Sequence, residues 1–242
     1  MCAAAGAQTT APDNDRIFRE IINSQSPYYY PALMLRYEAG DTTLTADDYR
    51  YLYYGYAYQP EYKPLEPVKG ETQMLSVLEG IGEDKEPTAE EAERVIRYGK
   101  EIMQADPFSP RTLNFMTFAY TILGDTVNAR IYADKRVKVL KAIEASGSGL
   151  REKSPWHILF FTHANDLLSS RGMDISKRMV RSNTVEYVHP VRRMEEAKGY
   201  YFDFGRIYWK KPENTDREKR VQGFEINGIK LRGKKGIYNP TK

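Results

Sequence analysis

The chain has 242 residues, a single cysteine, a formal net charge of +3 and a mean hydropathy of −0.64. A chain of this length can bury one large core, or two small ones, without needing disulfides or metals. No apolar run approaches the ~20 residues that span a bilayer, which argues against a membrane-spanning protein. One cysteine also excludes an intrachain disulfide and a cysteine-based zinc site.

The first residues, MCAAAGAQTTAPDND, are mostly small. The triplet AGA before Gln8 has the A-x-A form of a signal-peptidase site, although the basic and apolar parts of a signal do not precede it. We therefore expect residues 1–12 to be a residual signal peptide or disordered leader, either cleaved after Ala7 or lipidated at Cys2. The alternative is a disordered alanine-rich tail.

Charge is distributed unevenly, with −6 in residues 1–150 and +9 in residues 151–242. The leading interpretation is a solvated face or attraction between the two halves, and the alternative is a polyanionic partner. Basic residues between Arg217 and Lys235 interleave with aromatic ones. We interpret them as a solvated tail or as lysine protection of an edge strand, and otherwise as a site for an envelope polyanion. Nucleic acid is not an expected partner.

Helix-start signals divide the N-terminal part of the chain. Asp13 is placed to cap a first helix, which Pro27 closes. The pattern T-x-x-D at Thr45 and the pattern T-x-x-E at Thr88 are capping boxes, and each predicts the start of a further helix. The segment YKPLEPVKG between them is rich in proline and predicts an extended connection.

Two more helix starts follow. Ser109 before Pro110 predicts the first, and Asp125 after Gly124 predicts the second. The spacing of residues 113–141 resembles a tetratricopeptide helix pair. Because only one such unit is found, we predict a helical hairpin and not an array. The second helix is expected to bury Ala129, Tyr132, Ala133, Val137 and Leu140.

Eleven of the 19 tyrosines lie between Tyr28 and Tyr62. On the helix that begins at Thr45, they form two stripes on roughly opposite sides. Because a buried tyrosine still needs a partner for its hydroxyl, packing near the surface is the leading interpretation. The alternative is an aromatic platform that binds a sugar ring or a peptide. The weak ligand-binding candidates are Tyr51, Tyr54 and Tyr58.

The periodicity changes after the SGSG segment at residues 146–149. WHILFFTH is interpreted as a strand, a short helix is expected at ANDLLSS, and RMVRSNTVEYVH and GYYFDFGRIYW alternate partly with period two. Asn227-Gly228 in FEINGIKL predicts a two-residue hairpin turn. We therefore predict an α+β fold, in which helical hairpins over residues 13–145 precede a small, mostly antiparallel β-sheet over residues 146–242 that packs on them.

Few residues of the sequence indicate a catalytic site. The chain has no G-x-S-x-G elbow, no phosphate loop and no G-x-G-x-x-G after a strand. On a strand, His157 and His163 would share a face. The weak catalytic candidates are His163, Asp166 and Glu186, which could supply a base and an acid. The alternative is that the histidines are ordinary residues at strand ends. No cofactor and no metal site are expected.

Three segments carry a resemblance to a known family: GDTTLTADDYRYLYYGYAYQPEY, SGSG followed by WHILFFTHANDLLSSRG, and YYFDFGRIYW. Together they resemble an uncharacterised Bacteroidetes family, domain of unknown function 4919 (DUF4919). The resemblance runs from about Asp15 to Lys211, and LYYGY is its most specific part. It implies an exported or lipid-anchored protein of gut-type bacteria, in the periplasm or at the cell surface, and it brings no catalytic residues.

We therefore expect a non-enzymatic binding or interaction module of the bacterial cell envelope. Its partner would be a protein, a peptide or a glycan. The alternative hypothesis is a hydrolase that acts on an envelope polymer.

Overall fold

The computed structural model describes residues 9–81, 85–192 and 197–209, together with the backbone of residues 223–226 and 229–232. The chain divides into two compact units, Met1–Trp209 and Lys210–Lys242. Within the described part, no helix is both long enough and apolar enough to cross a bilayer. The expectations about Cys2 and Ala7, and those about the side chains between Arg217 and Lys235, lie outside the described residues.

Helices form the first part of the larger unit. They are α1 (Asn14–Ile22), α2 (Tyr30–Glu38), α3 (Ala46–Tyr56), α4 (Glu71–Ile81), α5 (Ala89–Ile102), α6 (Pro110–Ile122) and α7 (Thr126–Glu144). Five of them have a side-chain oxygen that accepts a backbone N–H in the first turn, which stabilises the helix start. The capping residues are Asp13, Thr45, Thr88, Ser109 and Asp125. Each of these predicted starts is therefore confirmed.

Helices α2 and α4 were not predicted from the sequence. Helix α2 has Pro31 in its first turn, but no side chain caps it at Tyr29, so the usual start signal is missing. Helix α4 follows Gly70, which has a φ of 90° and lies at the end of the proline-rich connection. Both helices depend on burial of one face against neighbouring helices and not on a local signal.

Helix α3 is the central element of the larger unit. From Asp48 to Tyr56, all its residues except Arg50 are buried, which is typical of a helix surrounded by other elements. Gly55 permits this close packing. A Cβ there would lie 3.0 Å from the ring of Tyr30 and 3.1 Å from a methyl group of Ile21. Helices α1 and α2 can therefore lie directly against α3.

Helices α6 and α7 form the predicted helical hairpin, with Gly124 at a φ of 71° between them. The predicted buried face of α7 is partly wrong, because Val137 is 45% exposed while Lys135 and Val139 are buried. Helix α7 packs against α6, α3 and the first strand, so its buried surface is wider than one stripe.

A four-stranded sheet follows. The strands are β1 (Trp156–His157), β2 (Ile175–Val180), β3 (Val185–Pro190) and β4 (Tyr200–Asp203), in the order β1-β4-β3-β2. The β2–β3 and β3–β4 pairs are antiparallel, and β1 pairs parallel with β4. Helix α8 (Phe161–Ser170) follows β1, and α9 (Gly205–Tyr208) follows β4. The α+β fold is confirmed, with a small mixed sheet that is mostly antiparallel.

The strand predicted for WHILFFTH is wrong in its second half. Strand β1 ends at His157, and α8 begins at Phe161, so His163 lies on a helix. The buried residues Ala164, Leu167 and Leu168 have helical spacing, which outweighs the strand preference of the aromatic residues before them. His157 and His163 therefore do not share a strand face.

In the smaller unit, β5 (Gly223–Ile226) and β6 (Ile229–Arg232) pair antiparallel, with Ile226 opposite Ile229. This pairing confirms the predicted hairpin. Its turn, Asn227-Gly228, lies outside the described residues.

The main core of the larger unit contains buried residues from α1, α2, α3, α7, β1, α8, β3 and β4. It therefore joins the helical region to the sheet. A second, smaller core lies among α4, α5 and α6.

Candidate functional site

Most tyrosines of the aromatic-rich region connect neighbouring segments through their hydroxyls. Four such hydroxyls donate to backbone carbonyls far away in the sequence: Tyr37 to Pro107, Tyr54 to Ala142 and His157, Tyr56 to Ala105, and Tyr62 to Leu159. Three of the carbonyls lie in loops, that of Ala142 lies in the last turn of α7, and that of His157 lies in the short strand β1. Backbone acceptors in loops and last helical turns lack a helical partner. A phenylalanine would leave these carbonyls unsatisfied, so the hydroxyls explain the use of tyrosine in a core.

A buried hydrogen-bond chain runs through Tyr53. Its hydroxyl lies 2.7 Å from Nδ1 of His163 and 3.2 Å from the backbone nitrogen of Leu159. Nε2 of His163 lies 2.9 Å from a carboxylate oxygen of Asp106. Every contact is satisfied when Nε2 carries the proton and Nδ1 accepts from the tyrosine. His163 and Tyr53 are fully buried, so this chain has no access to a substrate.

The other two catalytic candidates have different partners. Asp166 accepts a hydrogen bond from the backbone nitrogen of Arg111, whose guanidinium lies 3.7 Å from the carboxylate. Glu186 accepts from Arg178 at 3.0 Å. Burial raises the pKa of both carboxyls, and the arginine beside each one opposes this rise. Among the described residues, no hydrogen bond joins His163, Asp166 and Glu186 to one another.

The three ligand-binding candidates occupy different environments. Tyr54 is fully buried, and burial raises its pKa to about 12. Tyr58 is half-buried and donates to the carbonyl of Asn14 at 2.8 Å. Tyr51 lines a cavity.

That cavity has a volume of about 320 Å³ and lies where three helices meet. Arg16 is in the first turns of α1, Asp47 is in the first turn of α3, and Lys141 is near the end of α7. Thr10, in the segment before α1, completes the rim. The side chains of the rim are exposed, so the cavity is open to solvent.

Two aromatic rings form one wall of the cavity. Tyr28 stacks on Tyr51 with ring centroids 3.9 Å apart and an angle of 16° between the planes. Neither hydroxyl has a hydrogen-bond partner among the described residues, so both are available to a ligand. Burial, and secondly the carboxylate of Asp47, raise the pKa of Tyr28 above its usual value.

The N-terminal segment of the rim, at Thr10 and Ala11, is held in place by hydrogen bonds. The backbone nitrogen of Thr10 donates to the carbonyl of Ala145 at 2.9 Å, which ties the N-terminal segment to the end of α7. Arg50 donates to the carbonyl of Ala11 at 2.9 Å, which ties the same segment to α3. A rim that is already ordered lowers the entropic cost of binding.

Sequence reasoning identified one member of this cavity, Tyr51, and missed the cationic ones. Arg16, Arg50 and Lys141 lie on three elements that are distant in the chain, so no local pattern connects them. Only the stripe of tyrosines on α3 gave a signal. Among the residues that the structure describes, no group of three or more His, Cys, Asp or Glu is placed to hold a metal ion.

Comparison with known proteins gives one match. The family model described as domain of unknown function (DUF4919) matches residues 15–212, which is most of the chain. No curated protein and no solved structure matches the chain. The matched range includes all the helices that line the cavity. Only the first residue of α1, Asn14, lies outside it. The chain therefore belongs to the DUF4919 family.

Proposed function

We propose that this protein is a non-enzymatic, exported binding module of the bacterial cell envelope, and that it holds its ligand in the cavity beside Tyr51. The observation that carries this proposal is an open cavity with a stacked aromatic wall, in which two tyrosine hydroxyls have no hydrogen-bond partner in the part of the chain that the structure describes. Its volume of about 320 Å³ lies at the lower end of the range of small-molecule sites. The α6–α7 hairpin, whose spacing resembles a tetratricopeptide pair, also favours an interaction module.

The geometry favours binding over hydrolysis. A catalytic base or acid must come within hydrogen-bond reach of the substrate. His163 is fully buried and lies between Tyr53 and Asp106, so a substrate atom could reach it only if the core opened. Asp166 and Glu186 are each tied to an arginine. The hydrolase alternative therefore lacks an accessible pair of ionisable groups among its candidates.

Calorimetric titration with defined envelope components tests the binding function. Purified muropeptides, lipopolysaccharide core oligosaccharides and capsular oligosaccharides are titrated separately into the folded chain. We expect at least one class to bind, and Tyr28→Ala to weaken that binding because the variant removes half of the aromatic wall. Tyr29→Ala is the matched control, since Tyr29 is also half-buried but is not among the residues that line the cavity. Equal binding by both variants would place the ligand elsewhere.

A hydrolase screen tests the alternative on the same envelope polymers. We expect no turnover by the natural chain. Turnover that disappears in His163→Ala, with the fold retained, would contradict the binding proposal and support the enzyme.

Export rests on the AGA triplet before Gln8 and is tested by N-terminal sequencing of the protein from its host. We expect the mature chain to begin at or near Gln8, or to carry a lipid at Cys2. Recovery of an unprocessed Met1 from the cytoplasm would refute export without affecting the cavity.

A further inference from the structure

Three cationic side chains from separate elements meet at the cavity beside Tyr51. They are Arg16 of α1, Arg50 of α3 and Lys141 of α7. Asp47 is the one carboxylate among the residues that line the cavity. Since arginine and lysine are charged at neutral pH, the lining has a net positive charge.

None of these three cations forms an ion pair with a residue that the structure describes. Single unpaired cations are common on protein surfaces, and one alone would indicate nothing. Three cations that converge on one concave site are a stronger indication than a single cation. Like charges repel one another in such a site, and the site focuses their electric field. An anion bound among them would relieve this repulsion.

Arg50 is the cation whose position is best defined. It is half-buried, and one of its five N–H donors is used by the carbonyl of Ala11. The remaining donors form a planar group that matches a carboxylate or a phosphate. Arg16 and Lys141 are exposed and supply further charge at the rim.

The aromatic wall indicates what the anion is attached to. Tyr28 covers one face of the buried ring of Tyr51, so the stacked pair lines the cavity with apolar ring atoms and two hydroxyls, which suit a sugar ring with its apolar face and its hydroxyl groups. The volume of about 320 Å³ lies at the lower end of the range of small-molecule sites, which suits a ligand of one ring and its acidic group.

We propose that the cavity binds an acidic sugar, a single ring that bears a carboxylate or a phosphate, with Arg16, Arg50 and Lys141 around the anionic group. This inference rests on the proposed binding function and specifies its ligand. A carboxylate on a uronic acid and a phosphate on a sugar share the chemistry that these side chains recognise.

Nuclear magnetic resonance titrations with defined probes test the proposal. Glucuronate, glucose 1-phosphate, inorganic phosphate and neutral glucose are added separately to the isotope-labelled chain at low salt. We expect one or both acidic sugars to shift the backbone resonances of Tyr51 and Ala145 and to bind about tenfold more tightly than glucose. Inorganic phosphate, which lacks the ring, is expected to bind more weakly than glucose 1-phosphate. Comparison of the two acidic sugars identifies the source of the anion.

Charge variants test the role of the cations, and one of these variants serves as the matched control. Arg16→Gln and Lys141→Gln are each expected to weaken the acidic probe about threefold to tenfold, the range of one solvent-exposed hydrogen bond or ion pair. Arg19→Gln removes an exposed cation from the same helix as Arg16 but not from the cavity, so affinity should not change. Raising the salt concentration tenfold should weaken the acidic probes and leave glucose unaffected.

Two outcomes would overturn the inference. If glucose binds as tightly as the acidic sugars and Arg16→Gln has no effect, the cavity is a neutral-sugar site, and the binding function still holds. If no probe shifts the resonances of Tyr51 while an envelope oligosaccharide does, the ligand class is wrong. Absence of any binder, defined or envelope-derived, would refute the binding function itself.

Discussion

Replacing Tyr53 with phenylalanine tests the buried hydrogen-bond chain without removing the ring. The change deletes one oxygen, which accepts from the backbone nitrogen of Leu159 at 3.2 Å and contacts Nδ1 of His163 at 2.7 Å. The edge-on ring contacts with Tyr54 and Phe108 are retained. Any loss of stability therefore reports on the hydroxyl.

The magnitude follows from the two polar groups that lose their partner. Leu159 and His163 are fully buried, so water cannot replace the missing hydroxyl. Leaving one buried donor or acceptor unsatisfied costs about 1–3 kcal/mol. We therefore expect Tyr53→Phe to lower the free energy of unfolding by about 2–6 kcal/mol. At about 2–4 °C per kcal/mol for a chain of this size, Tm should fall by at least about 4 °C.

Urea denaturation measures this loss, and Tyr58→Phe provides the matched control. The hydroxyl of Tyr58 donates to Asn14 at an exposed position, where water can take its place. We expect the control to lose less than about 1 kcal/mol. The slope of the free energy against urea should stay the same in both variants, since neither changes the surface exposed on unfolding. Equal losses in the two variants, or a loss below about 1 kcal/mol for Tyr53→Phe, would refute the reasoning.

Three further predictions concern stability. Tyr54→Ala should lower the free energy of unfolding by about 3–5 kcal/mol in urea, because its ring is fully buried. Lys135 is buried over the rings of Tyr37 and Tyr132, and burial lowers its pKa from 10.5 to about 8. Below pH 8 the buried ammonium group of Lys135 is charged, which destabilises the fold. We therefore expect Lys135→Met to be more stable than the natural chain by about 1–3 kcal/mol at pH 7. The favourable contacts of the ammonium group with the two rings reduce this gain. Between pH 8 and 10.5 the unfolded chain binds more protons, so the natural chain gains stability and the advantage of Lys135→Met should shrink. Thr88→Ala should lose about 1 kcal/mol in a thermal melt, because it removes the cap of α5.

Each of these predictions has a control in the chain. Tyr208 is 61% exposed, so Tyr208→Ala should change stability by no more than roughly 0.5 kcal/mol. Lys138 is paired with Asp134, and Lys138→Met should give no gain at pH 7. Thr121 is exposed inside α6, and Thr121→Ala should not reproduce the loss at Thr88. An advantage of Lys135→Met that stays constant from pH 7 to 10 would contradict the burial of its charge.

The sequence alone determined those features that short-range chemistry specifies. The helix starts at Asp13, Thr45, Thr88, Ser109 and Asp125 were predictable because each capping oxygen acts on a backbone N–H about three residues later. The β5–β6 hairpin was predictable because a two-residue Asn-Gly connection sets the strand register. The α+β class follows from the same local patterns.

Tertiary structure decided the features that depend on contacts between distant residues. The aromatic residues after Trp156 favour a strand locally, yet burial of Leu167 and Leu168 makes the segment a helix and brings His163 to Tyr53. Helix α2 forms without a side-chain cap because its neighbours bury Leu33 and Tyr37. In both places the free energy of packing exceeds the local preference.

The candidate site belongs to the same class of features. Helical periodicity placed Tyr51 and Tyr54 on the same side of α3. It could not show that Tyr54 is fully buried or that Tyr51 lines a cavity. The cations of the cavity come from residues 16, 50 and 141, and the positions of α1, α3 and α7 bring them together. A sequence pattern reports which residues share one face of one element. Only the packing of three elements determines which faces meet, because that packing depends on the whole core.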